Sequence, residues 1–259
     1  MSDSPNYLGG AWSILHSLRS RRPNPTGNET VDHSGFTPVL ARLKREGLKG
    51  LGASSDELTD YIAHLEAIRP DALTHDESLA YWLNLYNAGA LFLAAEAQIA
   101  GLSSVLRTPG VFHTDRFNVD GEHLSLDDIE HGKIRRFGDP RIHGALVCGS
   151  VSCPTLRGEP FAGDSIDSQL DGQMRAFLQA GAIAMDADRR DLSLSKVFQL
   201  YGTDFVRPGS MPSFRPVRKT AIIQALRPWI ADGVVKLLDA GPFRISYQKY
   251  DWSLACAVR

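Results

Sequence analysis

Residues 55–68 read SDELTDYIAHLEAI, with Leu58, Ile62 and Leu65 at helical spacing. Thr74-His75-Asp76-Glu77 then forms a capping box, with Thr74 as N-cap and Glu77 at the third helical position. The helix it opens runs through LAYWLNLYNAGALFLAAEAQIA. It is apolar on nearly every face, so it is expected to be central and buried. Ser125-Leu126-Asp127-Asp128 opens a further short helix, with acids where the dipole favours them. Asp139-Pro140 marks a turn, Arg141–Val147 (RIHGALV) reads as a strand, and Gly149–Pro154 reads as a tight polar loop. From Asp164 to Ala180, Ile166, Leu170, Met174, Phe177 and Leu178 mark one face of an amphipathic helix. Leu192–Leu194 reads as a short strand, and Ser195 caps a helix through Tyr201. Lys219–Ala231 reads as a helix that Gly233 stops, and Phe243–Tyr247 as a strand.

The pattern before residue 34 differs. Ser17–Thr30 is polar, broken by Pro23, Pro25 and Gly27, and has little to bury. Trp12–Leu18 fits a short docking helix, followed by a solvated basic cluster of Arg19, Arg21 and Arg22. Residues 1–33 are therefore expected to be a polar N-terminal tail. Residues 34–259, with no repeat and no second linker, are expected to form a single α+β domain. Its buried central helix is expected to pack on a small, mainly antiparallel sheet.

Composition narrows the partners. Among 259 residues, 28 Lys and Arg face 30 Asp and Glu, a net charge of −2, which argues against nucleic acid. The longest apolar stretch, Ala88–Leu102, contains Glu96 and Gln98 and is too short and polar for a bilayer, so no membrane partner is expected. The N-terminus lacks the basic-then-apolar pattern of a signal peptide. Three cysteines, Cys148, Cys153 and Cys256, are not a secreted disulfide framework. A cytoplasmic protein with reduced thiols is expected, and the high Ala, Arg and Asp usage points to a GC-rich bacterial source.

Three places hold candidate chemistry. Asn84 and Asn87 lie three apart on one face of the central helix, where unpartnered amides would cost about 1–3 kcal/mol each. They would either tie down loop backbone or bind substrate. RIHGALVCGSVSCP (Arg141–Pro154) packs His143, Cys148, Cys153, Ser150 and Ser152 into one segment. A Cys–His pair makes an activated thiolate when the side chains meet. Strand parity would turn His143 and Cys148 to opposite faces, whereas Cys153 lies beyond the Gly149 turn and is free to fold back. The third place is Glu130-His131, whose side chains would project about 100° apart on an α-helix. All eight histidines lie at or before position 143, so only a His-before-Cys order is available. There is no C-x-x-C, no H-E-x-x-H, no P-loop and no G-x-G-x-x-G after a strand, so neither a metal nor a cofactor is expected.

The segments YWLNLYNA (81–88), LSLDDIEHGKIR (124–135), DPRIHGALVCGSVSCPTLR (139–157), LSKVFQLYGTDF (194–205) and KYDWSL (249–254) occur in this order. Together they resemble the domain of unknown function 547, from about residue 35 onward. Members of that family occur alone in bacteria, and joined to coiled-coil, DEP or glutaredoxin-like modules in plants and animals. The last two associations imply regulation or thiol chemistry. Plant relatives often carry Ser where Cys153 stands, and the family often has Asn where this chain has Ala255. The order of central helix and later His-bearing strand is also similar to the papain and transglutaminase-like layout, with Asn84 and Asn87 where that helix would carry its nucleophile.

Three functional expectations follow. In the first, the chain is a cysteine-dependent acyl-transfer enzyme, a hydrolase, acyltransferase or cyclase acting on an amide, ester or thioester. Its substrate would be a small molecule or peptide, free or carrier-bound. Cys153, then Cys148, would be the nucleophile, with His143, or His131 with Glu130, as base. Backbone N–H groups of Gly149–Ser152 would stabilise the oxyanion, and Asn84, Asn87, Arg141, Ser150 and Ser152 would bind substrate. The second expectation is a non-catalytic interaction domain with a buried polar network. The third is a thiol-redox or metal-binding protein.

Overall fold

A computed structural model describes residues 16–209, 211, 213 and 215–259. Helices α1 (Thr37–Glu46) and α2 (Ser55–Glu66) lead to the central helix α3 (His75–Ile99). On α2 the buried face is Leu58, Tyr61 and Leu65, with Ile62 at its edge. On α3, Thr74 accepts the Glu77 N–H as N-cap, at 3.2 Å. Glu77 does not close the box. Its carboxylate instead accepts the Gly163 N–H at 2.9 Å and meets His33 at 3.0 Å, while the Thr74 N–H goes to the Glu29 carbonyl.

Helix α3 is buried along nearly its whole length, as its all-round apolar pattern requires. Around it lie α2, α4 (Ile166–Phe177) and a π-helix at Asp128–Lys133. A hairpin of β1 (Phe117–Val119) and β2 (Glu122–Leu124) turns at Asp120-Gly121, where both residues have positive φ, as a tight hairpin turn of this hand needs. Beyond α4, β3 (Ile183–Asp186) pairs antiparallel with β4 (Asp191–Leu194), and β4 pairs parallel with β5 (Arg244–Tyr247). That sheet shares a second apolar cluster with α5 (Lys196–Leu200), α6 (Gly202–Val206) and α7 (Lys219–Leu226). The fold mixes helix and small sheets as expected, and α3 packs mainly on helices, with Gly89 against Phe117 of the β1–β2 hairpin.

Two local expectations are corrected. Arg141–Val147 is not a strand. Asp139 accepts the Arg141 N–H at 2.8 Å, Pro140 presets the backbone, and a 3₁₀ turn forms at Pro140–Gly144. The segment finds no strand partner, because Asn87 takes that place. Its side-chain amide donates to the Ala145 carbonyl and accepts from the Val147 N–H, both at 3.0 Å. Asn84 does the same for both backbone groups of Phe161, at 2.8 and 2.9 Å. Gly233 does not stop a helix: α7 ends at Leu226 before a short turn containing Pro228, and Gly233 lies within α8 (Asp232–Asp239).

The docking helix expected at Trp12–Leu18 lies mostly outside the described residues. Residues from Ser17 onward are held against the body more firmly than their composition implies. The Leu18 and Arg21 carbonyls accept from Arg136 at 3.1 Å and from Lys133 at 2.5 Å, and Glu29 bridges to Leu73. Close approach is possible at Gly132, where a Cβ would lie 2.5 Å from the Ser17 carbonyl oxygen. Among the described residues, no helix is long and apolar enough to cross a membrane.

Asn87→Ala should leave the Ala145 carbonyl and Val147 N–H buried without partners. The expected loss is on the order of 3 kcal/mol in urea-denaturation stability. A loss under about 0.5 kcal/mol would show that this clamp does not hold the segment.

Candidate active site

The π-helix begins with a reciprocal pair. Asp128 accepts the Ser125 N–H and hydroxyl at 3.0 and 2.6 Å, and Ser125 accepts the Asp128 N–H at 3.2 Å. The expected short helix therefore exists, but most of it is wound as a π-helix, a form frequent at functional sites. Glu130 and His131 sit within this turn, and both wall a cavity of about 140 Å³. His143, Cys148 and Cys153 line the same cavity, so all five nominated catalytic residues converge there.

His143 is held by groups from other segments. Its Nε2 lies 2.9 Å from Asp204 Oδ2, and its ring stacks on Tyr201 with centroids 4.1 Å apart. Asp204 also accepts two bonds from Arg135, at 2.8 and 2.9 Å. Burial would raise the Asp204 carboxyl, but the His143 and Arg135 hydrogen bonds prevail and hold it at about 2. An ionised Asp204 accepts from His143 Nε2, which therefore carries a proton, and Nδ1 makes no hydrogen bond to any described residue.

Arg135 Nη1 lies 3.2 Å from His131 Nδ1, and a guanidinium only donates. Burial, with the Arg135 charge added, pushes the imidazole down to about 3. His131 is therefore neutral, with Nε2–H as a donor. Glu130 accepts from the Tyr86 hydroxyl at 3.1 Å. Burial first, and the Glu130 charge second, raise the Tyr86 and Tyr201 phenols far above their ordinary value.

Cys148 and Cys153 are joined as a disulfide, with Cα atoms 6.4 Å apart. The expectation of free thiols is corrected for this pair. Gly149 turns the intervening loop at φ 75°, and a Cβ there would come within 3.0 Å of Ala94. Cys153 Sγ receives the Cys148 N–H at 3.0 Å. The Ser150 and Tyr250 hydroxyls lie 3.2 and 3.3 Å from it. Burial lifts the Tyr250 phenol to about 12, so it is a neutral donor.

Of the loop amides expected to stabilise an oxyanion, those of Val151 and Ser152 are taken by the Ser253 and Asp251 carbonyls, and the neighbouring Cys153 N–H goes to the Ser150 carbonyl. Nor do the nominated substrate binders gather here. Asn84 and Asn87 are buried and committed to backbone, and Arg141 is held by Asp139, Asp167 and Asp171. Ser150 stays beside the sulfurs, and Ser152 accepts the Asp251 N–H at 2.8 Å. Cys256 is free but lies outside this cavity, and burial raises its thiol to about 12. Among the described residues, no group of three or more His, Cys, Asp or Glu is placed to hold a metal ion.

Sequence reading missed Asp204, Tyr201 and Tyr250. They stand in LSKVFQLYGTDF and KYDWSL, segments used above only for resemblance. Asp204 is 61 residues from His143, a separation with no local periodicity to expose it.

Residues 70–178 match the family model described as protein of unknown function, DUF547. Over that segment the chain resembles the DUF547 family. The matched DUF547 segment contains Glu130, His131, His143, Cys148 and Cys153, whereas Asp204 and Tyr250 lie after it. No curated protein and no solved structure matches the chain.

His131 gives the site a pH signature. Its folded value, about 3, lies below the usual 6.5 or so, so unfolding takes up a proton once the pH falls below the unfolded value. Its contribution is complete above about pH 6.5 and is lost as the pH falls towards 3. The slope should approach 1.4 kcal/mol per pH unit at most. Urea denaturation of wild type and His131→Gln between pH 7 and 4 should show the variant flatter by that amount, and parallel curves would contradict the assignment.

Proposed function

We propose that the chain is a cysteine-dependent acyl-transfer enzyme, with Cys153 as nucleophile and His143 as general base. The observation that carries this reading is the His143–Asp204 pair, which leaves Nδ1 unbonded at the cavity that Cys153 lines. A carboxylate on one imidazole nitrogen and a thiol proton for the other is the arrangement of acyl-transfer triads. The Cys148 N–H and the Tyr250 hydroxyl, which itself accepts from Ser150, favour a thiolate at Cys153.

A dithiol reductant first supplies two electrons and two protons, opening the disulfide to two thiols. His143 Nδ1 takes the Cys153 proton as the sulfur attacks the acyl carbon of an amide, ester or thioester. The charge that develops on the carbonyl oxygen meets the Nε2–H of neutral His131, since the Val151 and Ser152 amides are occupied. The carbonyl re-forms, the bond to the leaving group breaks, and His143 returns the proton to that group. Water or an amine, deprotonated by Nδ1, then attacks the thioester and releases Cys153 as a thiol.

The disulfide itself favours a second reading, in which Cys148 and Cys153 exchange with substrate thiols. One experiment separates the two. Reduced protein treated with an activated thioester should gain one acyl group on Cys153, located by mass spectrometry. The rate should fall about a hundredfold or more in His143→Gln, checked for native circular dichroism. No adduct beyond that on denatured protein, together with rapid thiol-disulfide exchange, would replace the acyl-transfer reading with the redox one.

A further inference from the structure

A second cavity, of about 170 Å³, opens on another side of Cys153. Cys153 and Tyr250 belong to the walls of both cavities, so the sulfur stands between them. The two differ in charge. Asp127 and Glu130 line the first. The second has Lys196 and Lys249, with the hydroxyls of Ser152 and Thr155, and no Asp or Glu among the described residues of its wall.

The two lysines differ from other cations of the chain. Lys133 is paired with Glu122, Arg135 with Asp204, and Arg141 with Asp139, Asp167 and Asp171. Lys196 and Lys249 are in no ion pair with any described residue, although the chain as a whole carries a net charge of −2. Ser152 adds a donor, because its oxygen accepts the Asp251 N–H and its own proton remains available. Two lysines and a serine hydroxyl in the wall of a polar cleft, with no Asp or Glu in that wall, favour an anion.

We propose that this cleft is an anion subsite that takes a phosphate or carboxylate group of the substrate, so that the acyl donor handled at Cys153 is an anionic one. The identity of the ligand as an acyl donor rests on the acyl-transfer reading; the anion subsite rests on the cleft alone. An anion held there lies on the side of Cys153 away from the carboxylates of the first cavity. The acyl carbon then reaches the sulfur from a fixed direction, and the apolar part of the donor faces Leu146, Val197 and Leu200. Ser152 thereby regains a binding role, through its hydroxyl and not through the loop amides.

The test uses the full chain with its disulfide closed, so that no acyl chemistry takes part. Titration calorimetry with pyrophosphate and with succinate, at constant ionic strength, should show one saturable site. Affinity should fall tenfold or more in Lys196→Gln and in Lys249→Gln, and stay unchanged in Lys236→Gln, a surface lysine on α8. Tighter pyrophosphate binding assigns a phosphorylated donor, tighter succinate binding a carboxylated one, and equal affinities assign the shared charge. Absence of binding by both anions, or affinities indifferent to both lysine replacements, overturns the subsite and leaves the acyl-transfer reading standing. Lysine-dependent binding with no acylation of reduced Cys153 upholds the subsite and removes that reading.

Discussion

The Asp204 carboxylate is the constraint on which the site depends. It is shared by a fully buried Arg135 and by His143. Two neighbouring turns, Ile134–Phe137 and Pro140–Gly144, therefore meet α6, whose Asp204 lies 61 residues beyond His143, at one charge. Such a cluster is weak evidence for stability, because removing the charges from water opposes their mutual attraction. Its effect is on geometry. A bidentate guanidinium leaves the carboxylate little freedom, and the carboxylate keeps a proton on Nε2 of His143. Arg135 reaches His131 as well, so one cation bears on both histidines.

A second constraint acts from below. The central helix holds irregular segments in place by means of side-chain amides. Asn84 and Asn87 each present one donor and one acceptor, the same pair that a neighbouring strand would offer. This lets non-repetitive backbone lie against the most buried helix without orphaned polar groups. The His143 segment is anchored in this way, and its rigidity comes from α3 and not from a sheet.

The legible parts of the fold were those with local causes. Thr74 announced the central helix, Ser195 its short helix, and the apolar periodicity of residues 166–178 announced α4. Glu130, His131, His143, Cys148 and Cys153 were legible as reactive residue types crowded into two segments. What was illegible depends on partners far away in the chain. Arg141–Val147 has the composition of a strand, but Asn87 supplies the partner that would have made it one. Asp204 looks like any surface acid until Arg135 surrounds it. Glu130 and His131 were expected to diverge on an α-helix, yet both line one cavity from the π-helix turn.

The sulfur pair has a further property. Its hydroxyl partner Tyr250 lies about a hundred residues along the chain, and the backbone of Ser150 and Leu156 bridges to Leu254 and Val258. In folding terms the disulfide is local, but its surroundings have high contact order. Closing a loop of that length costs on the order of 4 kcal/mol of chain entropy before the contacts return anything. The two cysteines can therefore find each other early, five residues apart, while the pocket that gives them chemistry assembles late. Until it does, the sulfurs are an ordinary exposed pair, so their reactivity belongs to the finished tertiary structure and not to the loop that carries them.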